Sequence, residues 1–282
     1  MGKYPVIYTG NMSETIQISE RVYLRKGNLP VRDQCNTGII VGDEGVALVD
    51  LPEQCPDEEI LEEVENYFRR KVTHLLFTHA HGDHRKGLAS LHRQDFTVIC
   101  GKAACEEIRK CYPQFQPDEW VIPDSGEEYI WDGIRYRFWI PEKLPAHSPW
   151  DMSIHLPEQE IVFTGDFVVP PFYIYTYSSN WENWRKAIGV FKKNHSEEWM
   201  LMGHGEPVKG REILPLQEVY ISGLGKAAEE WTPAALRKIL EEPSVKRSAE
   251  LPESVRSLFG MSDPETVLRH IREIYESQGK YN

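Results

Sequence analysis

The run Thr78-His79-Ala80-His81-Gly82-Asp83-His84 places three imidazoles and one carboxylate within six residues. Imidazole nitrogen and carboxylate oxygen are the donors that suit zinc and related divalent ions. Metal-assisted chemistry is therefore the first reading. An apolar stretch, Val72 to Thr78, leads straight into the cluster. In extended chain, residues two apart point the same way, so His79 and His81 can serve one ion. Gly82 tolerates positive φ and lets the backbone turn. Asp83 and His84 then emerge in a new direction and can serve a second ion. The plain alternative makes Asp83 a helix cap and leaves three surface histidines, but three clustered imidazoles have no packing reason to be there.

Further metal-capable residues stand just past later apolar runs. Asp50 ends Val46 to Val49, His147 follows Tyr136 to Ile140 by a short loop, Asp166 follows Ile161 to Gly165, and His204 follows Trp199 to Gly203. Loops at strand ends are where a sheet scaffold presents reactive groups. Singly, each has an ordinary explanation, since Asp after a strand is a common turn former. The ordered set carries the argument.

These positions require strands to hold them. β-branched or apolar runs predict strands at Val22–Leu24, Thr37–Val41, Val46–Val49, Val72–Thr78, Val98–Cys100, Tyr129–Trp131, Tyr136–Ile140, Ser153–Leu156, Ile161–Thr164 and Trp199–Met202. Gly42-Asp43-Glu44-Gly45 reads as a hairpin turn. Helical spacing from Pro56 through Ile60, Leu61, Val64, Tyr67 and Phe68 predicts a helix there, with others following His84 and over Ala103–Cys111. Ser179 with Glu182, and Ser262 with Glu265, have the spacing of capping boxes, and Thr232-Pro233 reads as a helix start. Residues 1–210 thus read as one α/β unit and residues 211–282 as a helical extension.

Composition narrows the partners. The 282 residues carry 32 Lys+Arg against 44 Asp+Glu, a net charge of −12. That sign disfavours nonspecific nucleic-acid binding and an anionic membrane surface, leaving a small-molecule substrate. Five cysteines without a CxxC pattern suggest free thiols in a reducing compartment. The N-terminal residues show no apolar signal region, and no apolar run approaches the ~20 residues of a membrane span. A cytoplasmic location is the expectation.

The set Asp50, His79-x-His81-x-Asp83-His84, His147, Asp166 and His204 resembles the five-motif signature of the metallo-β-lactamase superfamily. The resemblance implies an α/β fold, a four-layer αββα sandwich with a dinuclear site on one edge of its two sheets. Carried over by position, His79, His81 and His147 would bind the first ion and Asp83, His84 and His204 the second. Asp166 would bridge the two, and Asp50 would support a ligand. Asp at position 166 is similar to the glyoxalase II-like and lactonase-like hydrolases. His81 stands where the flavin-linked di-iron oxidoreductases of this fold carry Glu. The segment Ala146-His147-Ser148-Pro149-Trp150 replaces the usual Gly-His-Thr.

The resemblance implies two divalent ions per chain, zinc first, with iron or manganese as alternatives. Two such ions about 3.5–4 Å apart share a water whose pKa falls from about 15.7 toward about 7. The hydroxide so supplied is expected to attack a carbonyl or phosphoryl centre, with Asp83 orienting it and Asp50 fixing the tautomer of a ligand histidine. Trp150, Tyr173, Tyr175 and Tyr177 are the candidate pocket wall. The alternation of the three tyrosines equally suits one core-facing strand. His74, His92, His155, His195 and His270 lie outside the pattern and read as structural or surface residues. The expected activity is hydrolysis of a small ester, thioester or lactone. The alternatives are a mononuclear iron oxidoreductase similar to persulfide dioxygenases, a phosphodiesterase, and a metal-stabilised binding protein. The C-terminal helices would lid the site or form a homodimer interface, and the sequence leaves both open.

Overall fold

Two-residue alternation of apolar side chains builds both sheets. Along β4 (Gly45–Val49), Val46 and Leu48 join one core cluster while Ala47 and Val49 join another on the opposite face. The computed structural model describes residues 15–27, 34–53, 60–141, 145–176, 179–236 and 251–277. The first sheet runs in spatial order β1 (Thr15–Gln17), β2 (Val22–Arg25), β3 (Thr37–Val41), β4, β5 (Lys71–Phe77), β6 (Thr97–Cys100) and β7 (Glu119–Val121). Pairing is antiparallel as far as β4 and parallel from β4 to β7. The second sheet contains β8 (Glu128–Trp131), β9 (Ile134–Trp139), β10 (Ser153–Leu156), β11 (Ile161–Gly165), β12 (Trp199–Met202) and β13 (Val208–Lys209). Its pairing is antiparallel from β8 to β11 and parallel between β11 and β12.

One core lies between the sheets. Ala47, Val49, Leu76 and Ile99 meet Tyr136, Phe138, Ile154, Phe163 and Leu201. Gly38 allows the closest approach, because a Cβ there would lie 2.2 Å from Cε1 of Phe163. The other face of the first sheet is covered by α1 (Ile60–Phe68), through Ile60, Leu61 and Val64. The short helix α2 (Gly82–Arg85) follows β5, and α3 (Lys102–Cys111) completes that cover through Ala104, Cys105 and Ile108. Burying each of the valine, leucine and isoleucine side chains among them contributes about 1.5–3 kcal/mol.

A second unit comprises residues 143–149, 167–197 and 209–282. Two earlier stretches thus group with the C-terminal helices. The physical reason is the loop after β11. Its Phe167 carbonyl accepts from Trp184 Nε1 (2.8 Å) on α4 (Trp181–His195) and from Gln217 Nε2 (2.8 Å) on α5 (Gly210–Glu230). Gln217 Oε1 accepts in turn from the Val169 amide, 3.1 Å away. Gly225 lets α5 approach α4, because a Cβ there would lie 2.2 Å from the Trp181 ring. The helix Pro264–Ser277 buries Val267, Leu268, Ile271 and Ile274.

Both expected capping boxes shift by one residue. Asn180 Oδ1 accepts from the Asn183 amide, and Asp263 Oδ1 from the Thr266 amide. Ser179 instead donates to the Thr176 carbonyl. Asn and Asp are short acceptors suited to the cap, and Asp263 leaves Pro264 at the first helical position, where its missing N–H costs nothing. Thr232 caps as expected, accepting from the Ala235 amide. The helix after β5 starts at Gly82, before His84. β1, β7 and β13 lie outside the predicted strands, because two or three residues are too few to show a period. Pro56 to Glu59, the expected start of α1, lie outside the described residues.

Candidate metal centre

The parallel strands β4 and β5 end side by side and deliver Asp50 and the histidine cluster to one sheet edge. Asp50 is buried at φ 60°, a left-handed conformation that Asp tolerates better than most residues. Its Oδ1 accepts from the Thr78 amide (2.8 Å) and its Oδ2 from Thr78 Oγ1 (2.6 Å). Oδ2 also lies 2.8 Å from His84 Nδ1. A carboxylate only accepts, so His84 donates through Nδ1 and its Nε2 faces away, ready to ligate.

His84 Nε2 is fully buried, without a hydrogen-bond partner among the described residues. It lies 3.4 Å from Asp83 Oδ2 and 3.4 Å from Asp166 Oδ1. His204 Nε2 lies 3.0 Å from Asp83 Oδ2 and 3.5 Å from Asp166 Oδ2. Zinc bonds to nitrogen and oxygen of about 2.0–2.2 Å put tetrahedral ligands about 3.3–3.6 Å apart. Two imidazoles and two carboxylates at 3.0–3.5 Å therefore fit one divalent ion of nitrogen–oxygen preference.

The electrostatics agree. Burial works to lower the His84 and His204 imidazoles, yet their acidic neighbours outweigh it and raise both. Asp83, Asp166 and Asp50 act on His84, and Asp166 and Asp83 on His204. Burial alone would raise the Asp83 and Asp166 carboxyls, but neighbouring imidazoles hold both below the usual range. A pocket that favours positive charge on its own imidazoles favours a cation.

His79 and His81 sit beside this cluster, with ring centroids 4.7 Å apart, and the His79 ring is 4.0 Å from that of His84. Both feel the Asp166 charge, as His84 and His204 do. Burial lowers the His81 imidazole, which keeps it neutral, the form that ligates. His147 is fully buried in the second unit, where its ring meets that of Trp184 at 5.2 Å.

Of the expected pocket wall, Trp150 stands edge-on to His81 at 5.4 Å. Tyr173 and Tyr175 belong to the second unit, and Tyr177 lies outside the described residues. Tyr173 and Tyr175 are not the core face of a strand. Ile174 and Thr176 are the buried positions, while Tyr175 is exposed.

Cys35 was not singled out from sequence. It is buried, and its Sγ lies within 4.8 Å of donor atoms of Asp50 and His84. Burial pushes its thiol up to about 12, so it is protonated at neutral pH. A lone cysteine 15 positions before Asp50 carries no signal that predicts this placement. Thr78 was legible only as a strand end, though its hydroxyl anchors Asp50.

The metallo-β-lactamase superfamily model matches residues 30–204. The coenzyme F420H(2) oxidase of Methanothermobacter marburgensis is 28% identical over 137 residues, 46% of this chain and 33% of that one. An atrochrysone carboxyl ACP thioesterase of Claviceps purpurea is 29% identical over 116 residues, covering 39% of this chain and 32% of its own. The chain thus spans about a third of the length of the curated relatives it matches. A metallo-beta-lactamase from Pontibacter korlensis superposes with a TM-score of 0.64 at 19% identity, over 74% of this chain and 98% of its own. A sec-alkylsulfatase from Pseudomonas sp. gives 0.67 at 17%, over 93% and 50%. The match runs from ahead of Asp50 to His204 and so spans the whole histidine–aspartate cluster on its two-sheet frame: this chain belongs to the metallo-β-lactamase superfamily.

Proposed function

We propose that this protein is a metal-dependent hydrolase with two divalent ions, zinc first, acting on a small ester, thioester or lactone. The observation that carries the reading is Asp166. Its two oxygens border the second position, at His84 and His204, and its charge also reaches His79 and His81, so it would serve both ions. His79 and His81 would hold the first ion, with His147 as the resemblance assigns it. Asp83, His84 and His204 would hold the second. When bound, the ions supply a hydroxide at neutral pH and polarise the attacked group.

The chain's own residues do the rest. Asp83, only partly buried, accepts and orients a proton at the open side of the cluster, where Oδ2 already meets His204. Asp50 keeps Nε2 of His84 directed at the second ion. Trp150 walls the His81 side with an aromatic edge suited to an apolar acyl group. The relative named as an ACP thioesterase supports acyl transfer to water. Free thiols at Cys35, Cys100, Cys105 and Cys111 fit a cytoplasmic site of action. No described helix is long and apolar enough to cross a membrane. A homodimer through the C-terminal helices is part of the proposal, and sedimentation tests it.

The relative named as an oxidase favours a second reading, an iron-dependent oxidoreductase. Against its flavin-linked form stands His81 in place of Glu. Elemental analysis of purified protein, followed by a panel of lactone, thioester, phosphodiester, sulfate-ester and β-lactam substrates, separates the readings. Two zinc ions per chain with turnover of an acyl substrate support the proposal. One iron per chain with thiol-dependent oxygen uptake overturns it.

A further inference from the structure

His204 follows β12 on the loop Met202-Gly203-His204-Gly205, which crosses the sheet edge with Gly205 at φ 96°. A loop of this kind has no ladder to fix it, yet a ligand must be held within about 0.5 Å of its productive place. One residue from the far end of the sequence supplies the restraint. Asn36, buried just before β3, donates Nδ2 to the Met202 carbonyl (3.0 Å) and to the Gly205 carbonyl (2.9 Å). Its backbone amide donates to the Gly203 carbonyl at 2.6 Å. Its Oδ1 accepts from the Gly27 amide at 3.0 Å, which fixes which end of the amide is nitrogen. The carbonyls on both sides of His204 are thereby tied to one side chain and its own amide. The Gly203 amide is tied to the Gly165 carbonyl, next to Asp166.

We infer that Asn36 is a positioning residue for His204, locking the loop that carries this ligand and so setting the affinity of the second metal position alone. The inference rests on reading Asp83, His84, Asp166 and His204 as a metal site. Asn36 touches neither substrate nor ion. The chemistry needs an amide: two donors for two carbonyls and one acceptor for Gly27. Aspartate has the same shape and retains the acceptor but sets a carboxylate against the Met202 and Gly205 carbonyls. His79 and His81 lie on a different strand end and are untouched.

The test is titration of the full-length protein with cobalt(II), followed by its absorption spectrum, for the parent, Asn36→Asp, His204→Ala and the double variant. The expected result is two ions in the parent. In Asn36→Asp the first should bind with parental affinity and the second about 10–100-fold more weakly. In the His204→Ala background, Asn36→Asp should change cobalt affinity by less than about 2-fold, because the ligand it positions is gone. Unaltered second-ion affinity in Asn36→Asp overturns the inference. So does equal weakening of both ions, or a full effect without His204. Failure of the parent to bind two ions is a different result and overturns the functional reading instead. If Asn36→Asp is not recovered folded, Asn36→Ser, which keeps one donor, carries the same comparison.

Discussion

At the residue scale the site is a problem of lone pairs and protons. Asp50 illustrates it, because its two oxygens meet three donors: the Thr78 amide, the Thr78 hydroxyl and His84 Nδ1. Asn at position 50 tolerates the same φ but offers an N–H where an acceptor is needed. Asp50→Asn should therefore leave the fold intact and weaken second-ion binding about 10–100-fold, read by competition with a chromophoric chelator. Gly203 marks the limit on size. A Cβ there would lie 2.3 Å from Asp166 Oδ1 and 2.5 Å from His84 Cε1, so Gly203→Ala must displace one of these proposed ligands. The expected outcome is loss of one bound ion per chain by elemental analysis. His74 belongs to a different network, between Thr73 Oγ1 and the Tyr129 hydroxyl with its ring over Trp131. Burial lowers its pKa from 6.5 to about 4. The unfolded chain therefore binds this proton more readily than the folded one. The associated stability is complete above pH 6.5 and is lost as the pH falls toward 4. His74→Phe should flatten the fall in urea midpoint between pH 7 and 5, and an unchanged slope would refute the assignment.

At the element scale, strand ends and helix starts decide where the chemistry stands. The parallel register of β4 with β5 brings Asp50 beside Thr78, although 28 residues separate them. β11 and β12 do the same for Asp166 and His204, since they too are parallel and end together. Gly165, at φ 51°, ends β11 where a Cβ would lie 2.3 Å from Thr78 Oγ1, so the strand turns under the Asp50 anchor only with glycine there. The helices of the second unit depend on their caps. Asn180→Ala should cost about 1 kcal/mol by chemical denaturation, and Ser179→Ala clearly less, because the Asn183 amide bonds to Asn180 and not to Ser179.

At the scale of the whole molecule, metal and fold are linked. Asp83, His84, Asp166 and His204 come from three separate stretches of chain, so an ion that binds all four binds the folded state alone. Saturation at about 100 times the dissociation constant adds about 2.7 kcal/mol. Chelation should lower the Tm by several degrees, and restoring zinc should recover it, as differential scanning fluorimetry would show. The candidate donors that meet at the sheet edge were legible in the sequence. Histidine and aspartate past apolar strands have few other reasons to recur in that order, and the two-residue period of the strands predicts most of both sheets. Cys35 and Asn36 were not legible. Their partners stand as far as 169 positions away, and an asparagine before a strand has many ordinary uses. The caps at Asn180 and Asp263 were misplaced because adjacent polar residues offer equivalent local patterns, and only the backbone path chooses between them. Residue types and their period thus determined by themselves which donors exist and that strand ends present them, because those are local properties of the chain. Which oxygen meets which nitrogen, and which distant amide braces the His204 loop, only the packed sheets decided, because hydrogen bonds act over about 3 Å in space and are blind to separation along the chain.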